Sequence, residues 1–105
     1  MYHVVFLVKR HPAMTPEEFS RYWIETHTPF TARTPGVRAY RCYPASGPPD
    51  QAPAFDGVAV LSFDDEAAYR QAVASDEFAA AIADAPNFQD TGLTTSFIAS
   101  EHQIV

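Results

Sequence analysis

The sequence predicts an α+β fold. It reads as a ferredoxin-like β-α-β-β-α-β chain, a four-stranded antiparallel sheet with two helices on one face. Three observations point there. Four apolar runs of strand length alternate with two segments that carry helix-start signals. The two middle runs are joined by a stretch with neither helical nor strand period. The chain has 105 residues, the length of one domain, so residues 1–105 read as a single unit.

The first strand is "YHVVFLVKR", from Tyr2 to about Lys9. It is apolar on both parities, which predicts that both of its faces are covered. "MTPEEF" opens the first helix, with Thr15 as N-cap, Pro16 at the first helical position and Glu18 closing a capping box. Pro35 and Gly36 end that segment, and "VRAYRCY" (Val37 to Tyr43) is the second strand. A Pro-rich loop follows, with Pro44, Pro48, Pro49 and Pro53 excluding continuous ladder pairing. Its length suggests a mobile lid or rim. "GVAVLSF" (Gly57 to Phe63) is the third strand. Asp64 is the expected N-cap of the second helix, and Ser75 repeats the cap pattern, so this helix should break near Ala74. The fourth strand starts at about Leu93.

A chain this small covers a large apolar surface with difficulty. Yet 47% of it is hydrophobic and 13% aromatic, an excess that predicts an apolar pocket or a buried subunit interface. One sheet face takes the helices; a second copy is expected on the other, giving a homodimer. The net charge is −6, and the seven Lys and Arg are scattered, which argues against nucleic acid or anionic membrane as partner. Lone Cys42 forms no internal disulfide. No basic leader or run of membrane-spanning length is seen, so a soluble, cytoplasmic protein is expected. His3, His11, His27 and His102 include no close-spaced ligand pair, and the single glycines form no phosphate loop, so neither metal nor cofactor is expected. Asp64, Asp65 and Glu66 read as capping acids.

The stretch "FSRYWIETHTPF" (Phe19 to Phe30) carries the chemistry. On an ideal helix Phe19, Tyr22, Trp23, Thr26 and Phe30 share one side, with His27 at its edge; Ile24 fits no such pattern. Pro29 lacks an N–H, and the helix is expected to end or kink beside His27. The ring then either points into a cleft or packs at a core edge. Tyr22, Trp23 and Phe30 are candidate pocket walls. Cys42 shares a sheet face with Tyr40. His3 could face either side of the sheet.

"MTPEEFSRYWIETHTPFTARTPGVRAY", "FDGVAVLSFDD" and "PNF" together resemble the EthD family of the dimeric α+β barrel superfamily, over roughly Val4 to Phe97. The resemblance implies a sheet-to-sheet dimer and cofactor-free chemistry on apolar or aromatic molecules. That chemistry includes isomerisation, cyclisation, dehydration or decarboxylation of lactone or polyketide-like substrates, and monooxygenation in the wider superfamily. Other relatives are accessory proteins of ether degradation. It also implies that His27 is the site histidine, with Tyr40 the second-strand aromatic. His27 would then give or take a proton and Tyr40 would polarise a carbonyl, with Tyr22, Trp23, Phe30, His3 and Cys42 around the ligand.

Overall fold

The computed structural model describes residues 1–105. The strands are β1 (Tyr2–Val8), β2 (Ala39–Pro44), β3 (Gly57–Phe63) and β4 (Thr95–Ala99). They form one antiparallel sheet in the order β2-β3-β1-β4, the arrangement expected of a ferredoxin-like chain. The first helical layer is α1 (Pro16–Arg21), a π-helical stretch (Tyr22–His27) and α2 (Thr28–Ala32). The second is α3 (Glu66–Val73) and α4 (Asp76–Asp84), followed by a 3-10 turn (Ala85–Asn87).

The capping chemistry holds these pieces as the sequence implies. Thr15 and Glu18 form the reciprocal capping box. Ser75 accepts from the Phe78 N–H and starts α4 after the break at Ala74. Asp64 is not the cap. Asp65 caps α3 through the Ala68 N–H, while Asp64 makes a forked ion pair with Arg38 across the sheet end. Both acids precede the helix, and the arginine opposite Asp64 decides which is free to cap. The outer strands are shorter than their apolar runs: β2 starts at Ala39 and β4 at Thr95. Leu93 instead lies in the turn closed by its N–H to the Asp90 carbonyl.

Strand register sorts the side chains into two faces. One row runs Tyr40, Leu61, Val4 and Ile98; the next runs Cys42, Ala59, Phe6 and Ser96. These face the helices. Val4, Leu61, Phe63 and Ala72 make one buried cluster, and Val8, Phe19, Trp23, Ala59 and Phe88 make another. Gly57 lies against the Trp23 ring of the second. A Cβ there would overlap the Trp23 ring, so only glycine lets the indole lie against β3.

The opposite face carries Arg41, Val60, Val5 and Phe97 in one row and Tyr43, Val58, Leu7 and Thr95 in another. No helix covers it. Tyr43 and Phe97 are each more than half exposed. The Pro-rich loop lies at the end of the sheet, tied by the Ala45 N–H to the Asp56 carbonyl and by Lys9 Nζ to the Ala54 carbonyl. No helix is long and apolar enough to cross a membrane.

Candidate functional site

Pro29 does not end the helix. Instead, the turns before it widen to i→i+5 bonding, and the Thr28 N–H reaches the Trp23 carbonyl. In that register the missing Pro29 N–H orphans the Ile24 carbonyl rather than that of Glu25. The Thr28 hydroxyl donates to it at 2.6 Å. The chain therefore passes through a proline without losing a carbonyl's partner.

The wider turns also change which residues share a face. In a regular α-helix, residues at every fourth position drift by about 40° per step. The π stretch turns less per residue and cancels that drift. Phe19, Trp23, His27 and Thr31 are consequently all buried, while Thr26 is exposed and Phe30 only half-buried. This corrects the helical wheel, which put Thr26 and Phe30 on the stripe and His27 at its edge. Ile24, the misfit of that wheel, is simply exposed.

Asp84, the last residue of α4, holds His27. Its Oδ2 lies 2.8 Å from His27 Nδ1. Its Oδ1 accepts from the Tyr22 hydroxyl at 2.6 Å and from Asn87 Nδ2 at 3.0 Å. A carboxylate at a helix C-terminus opposes the helix dipole. Burial also pushes its pKa up, but hydrogen bonds from Tyr22, Asn87 and His27 outweigh burial and hold it below the ordinary value. Asp84 is therefore an acceptor, and His27 Nδ1 carries the hydrogen that faces it. In the neutral ring the lone pair then sits on Nε2, 3.3 Å from Thr31 Oγ1. Phe88 packs on the imidazole, ring centres 4.6 Å apart.

His27 and Thr31 border a cavity of about 240 Å³ between the sheet and the helices. Its floor runs obliquely over the sheet: Tyr40 on β2, Leu61 and Ala59 on β3, Phe6 and Val8 on β1, then Thr94 just before β4. Its roof is Trp23 with one face of α4, namely Phe78, Ala81 and Ile82. Tyr40 lies beside Thr31 and Trp23, and burial, with Cys42 adjacent, pushes its phenol far above the ordinary pKa. It stays protonated and can donate a hydrogen bond. The arrangement can take a proton at Nε2 and stabilise a developing oxyanion from Tyr40.

Three of the sequence candidates, Trp23, His27 and Tyr40, come together on this cavity. The other four do not line it. Tyr22 stands behind His27, its hydroxyl on Asp84, which raises the phenol pKa. Phe30 is carried off the stripe by the π turns. Cys42 shares a sheet face with Tyr40 as expected but packs against the core cluster, where burial keeps it a thiol. His3 is on the opposite sheet face, with Nδ1 2.6 Å from Ser62 Oγ. The Pro-rich loop contributes no lining residue to this cavity. Asp84 and Thr31 were missed. The readable signal for Asp84 was an acid at the wrong end of a helix. No group of three His, Cys, Asp or Glu side chains is placed to hold a metal.

Comparison with known proteins gives the same architecture. The structure superposes on an EthD (ethyl tert-butyl ether D) family protein, BH0200, from Bacillus halodurans with a TM-score of 0.78. That match has 26% identity over 97% of this chain and all of the other. It is similar in fold to the cofactor-independent oxygenase SnoaB from Streptomyces nogalater, in a mutant form (TM-score 0.68, 20% identity, 99% and 95% of the two chains). It is also similar to a dimeric ferredoxin-like protein of unknown function from Thermobifida fusca (TM-score 0.70, 16% identity, 95% and 90%). No curated protein matches the sequence. The EthD domain pattern matches residues 11–92, most of the chain, and the protein therefore belongs to the EthD family.

Proposed function

We propose that the protein is a cofactor-independent enzyme in which His27 transfers a proton on a small, apolar, oxygen-bearing substrate. The supporting observation is the His27–Asp84 pair, which fixes Nδ1–H and leaves Nε2 beside Thr31, both residues bordering a cavity walled mostly by apolar groups. A buried histidine that merely fills space needs no carboxylate fixed by two further donors. Asp84 orients the ring and stabilises the imidazolium that forms when Nε2 takes a proton. Tyr40 donates to the carbonyl oxygen that becomes an enolate. Isomerisation, cyclisation, dehydration and decarboxylation share that step. The low-polarity walls strengthen both interactions by excluding water.

We further read the open sheet face as the contact of a homodimer. Its two apolar rows are the support, and the Thermobifida relative is described as dimeric. The second reading is a cofactor-free oxygenase, in which the same base makes a substrate anion that reacts with oxygen; the likeness in fold to SnoaB favours it.

The test is exchange of the α-protons of 2-tetralone in D2O, followed by NMR under argon and under air. The expected result is acceleration over buffer that is equal in both gases. Oxygen-dependent consumption of the ketone would shift the assignment to the oxygenase. No acceleration in either gas would remove the proton-transfer reading.

A further inference from the structure

The cavity has a second polar end that the proton-transfer reading leaves unused. Tyr40 and Thr31 stand at the β2 side, and Thr94 stands where the chain enters β4. These are the two edge strands, separated by three strand spacings, or roughly 14 Å. Between them the floor is Leu61, Ala59, Phe6 and Val8, with no polar side chain. Gln89 and Thr91 join Thr94 at the far end.

The backbone there is held firmly. Gln89 pairs with Arg10 in an antiparallel bridge, its N–H bonds to the Ala85 carbonyl at 2.9 Å, and the Asp90 N–H bonds to the Lys9 carbonyl at 2.9 Å. The polar side chains are uncommitted. Thr94 Oγ1 accepts from the Lys9 N–H at 3.0 Å, which leaves its own hydrogen free to donate. None of the chain's side-chain hydrogen bonds holds the Gln89 amide. A fixed backbone presenting free donors is preorganised to receive an oxygen.

The charges exclude one class of ligand. No Lys or Arg lines the cavity. Nearby Arg10 donates to the Met14 carbonyl and keeps its Nε 3.8 Å from Asp56, and Lys9 donates to the Ala54 carbonyl with Asp56 at 3.9 Å, so both charges face Asp56. The one buried ion beside the cavity is the Asp84 carboxylate. A carboxylate ligand would lose its water, gain no cation and meet a like charge behind His27.

We infer that Gln89 and Thr94 form an oxygen-binding subsite, and that the ligand is an uncharged, elongated, mostly apolar molecule with an oxygen at each end, not a carboxylic acid. This rests on the cavity being the substrate site. Gln89 acts here as a specificity residue and takes no part in the proton transfer.

The experiment is calorimetric titration of the protein at neutral pH with three probes on one ring frame: 2-naphthol, 2,6-dihydroxynaphthalene and 6-hydroxy-2-naphthoate. The second hydroxyl is expected to tighten binding by about threefold to tenfold, the effect of one net hydrogen bond. The carboxylate is expected to bind more weakly than either naphthol. Gln89→Leu should remove most of the gain from the second hydroxyl and leave 2-naphthol within about twofold. The wild-type series reads the same claim without any substitution. Equal binding of one- and two-hydroxyl probes, or tighter binding of the carboxylate, would overturn the subsite. Ala85→Phe, which projects a ring into the cavity from its wall, separates the two failures. If it weakens all probes while the second hydroxyl makes no difference, the cavity stands and the subsite falls. If no probe binds wild type, or binding is indifferent to Ala85→Phe, the cavity itself is not the ligand site and both readings fall.

Discussion

Asp84 is the residue on which the site's geometry depends. It satisfies three donors from two places: Tyr22 and His27 on the π stretch, and Asn87 in the turn after α4. Asp84→Asn keeps the size but offers only one acceptor oxygen, so His27 loses its fixed orientation. Turnover should fall by at least about tenfold, and the loss should appear in kcat more than in KM, because the substrate contacts are elsewhere. The same residue makes stability depend on acid. Its folded pKa lies below the ordinary 3.8. The stabilisation is therefore complete above that ordinary value and is lost as the pH falls through the lower folded value. Thermal melts between pH 5 and pH 2 should show wild type losing stability in that window more steeply than Asp84→Asn. Parallel curves would mean that Asp84 is not held as an ion. Tyr40→Phe should reduce turnover less than loss of His27, since it removes one hydrogen bond and keeps the aromatic wall.

At the scale of elements, the π stretch is what turns His27 inward. Thr28 and Pro29 act as a pair, one supplying the hydrogen bond that the other removes. Thr28→Val should leave the Ile24 carbonyl without its partner and cost about 1 kcal/mol, read as a lower denaturation midpoint. Gly57→Ala should cost more, about 1–3 kcal/mol, because the added methyl must displace the Trp23 ring. A shift in the fluorescence of Trp23, the chain's single tryptophan, would report the displacement. This element also shows the limits of what the sequence expresses. The four strands, the Thr15 and Ser75 caps and the break at Ala74 follow from local rules and were legible; the choice of Asp65 over Asp64 as cap was not, because it turns on Arg38 across the sheet end. The wheel assumed one period throughout Phe19–Phe30. The change of period depends on how Thr28 and Pro29 share a carbonyl and on the sheet beneath, which no local pattern states. The acid at the end of α4 was readable as an oddity, but what it holds was not: its partner is far away in sequence, and only the packing of α4 beside the π stretch joins them.

Seen as a whole molecule, the sheet divides two tasks. The helix face holds the cavity and the His27–Asp84 pair. The other face carries Val5, Val60, Leu7, Val58, Tyr43 and Phe97 with no helix above it. The dimer reading predicts that light scattering gives twice the mass of the 105-residue chain at micromolar concentration. Val60→Lys, which puts a charge at the centre of that face, should give monomers. A wild-type monomer under those conditions would contradict the dimer and leave the site intact, since every residue of the pair and the cavity comes from one chain.

The central claim is that His27 moves protons and does not merely fill the core. The direct measurement takes two quantities from one His27→Ala preparation: the rate of α-proton exchange from 2-tetralone per folded molecule, and the melting temperature. The expected result is a loss of about a hundredfold or more in exchange, with a cooperative melt retained, because the ring stands at the cavity wall. Full exchange per folded molecule with a lowered melting temperature would make His27 structural and contradict the mechanism.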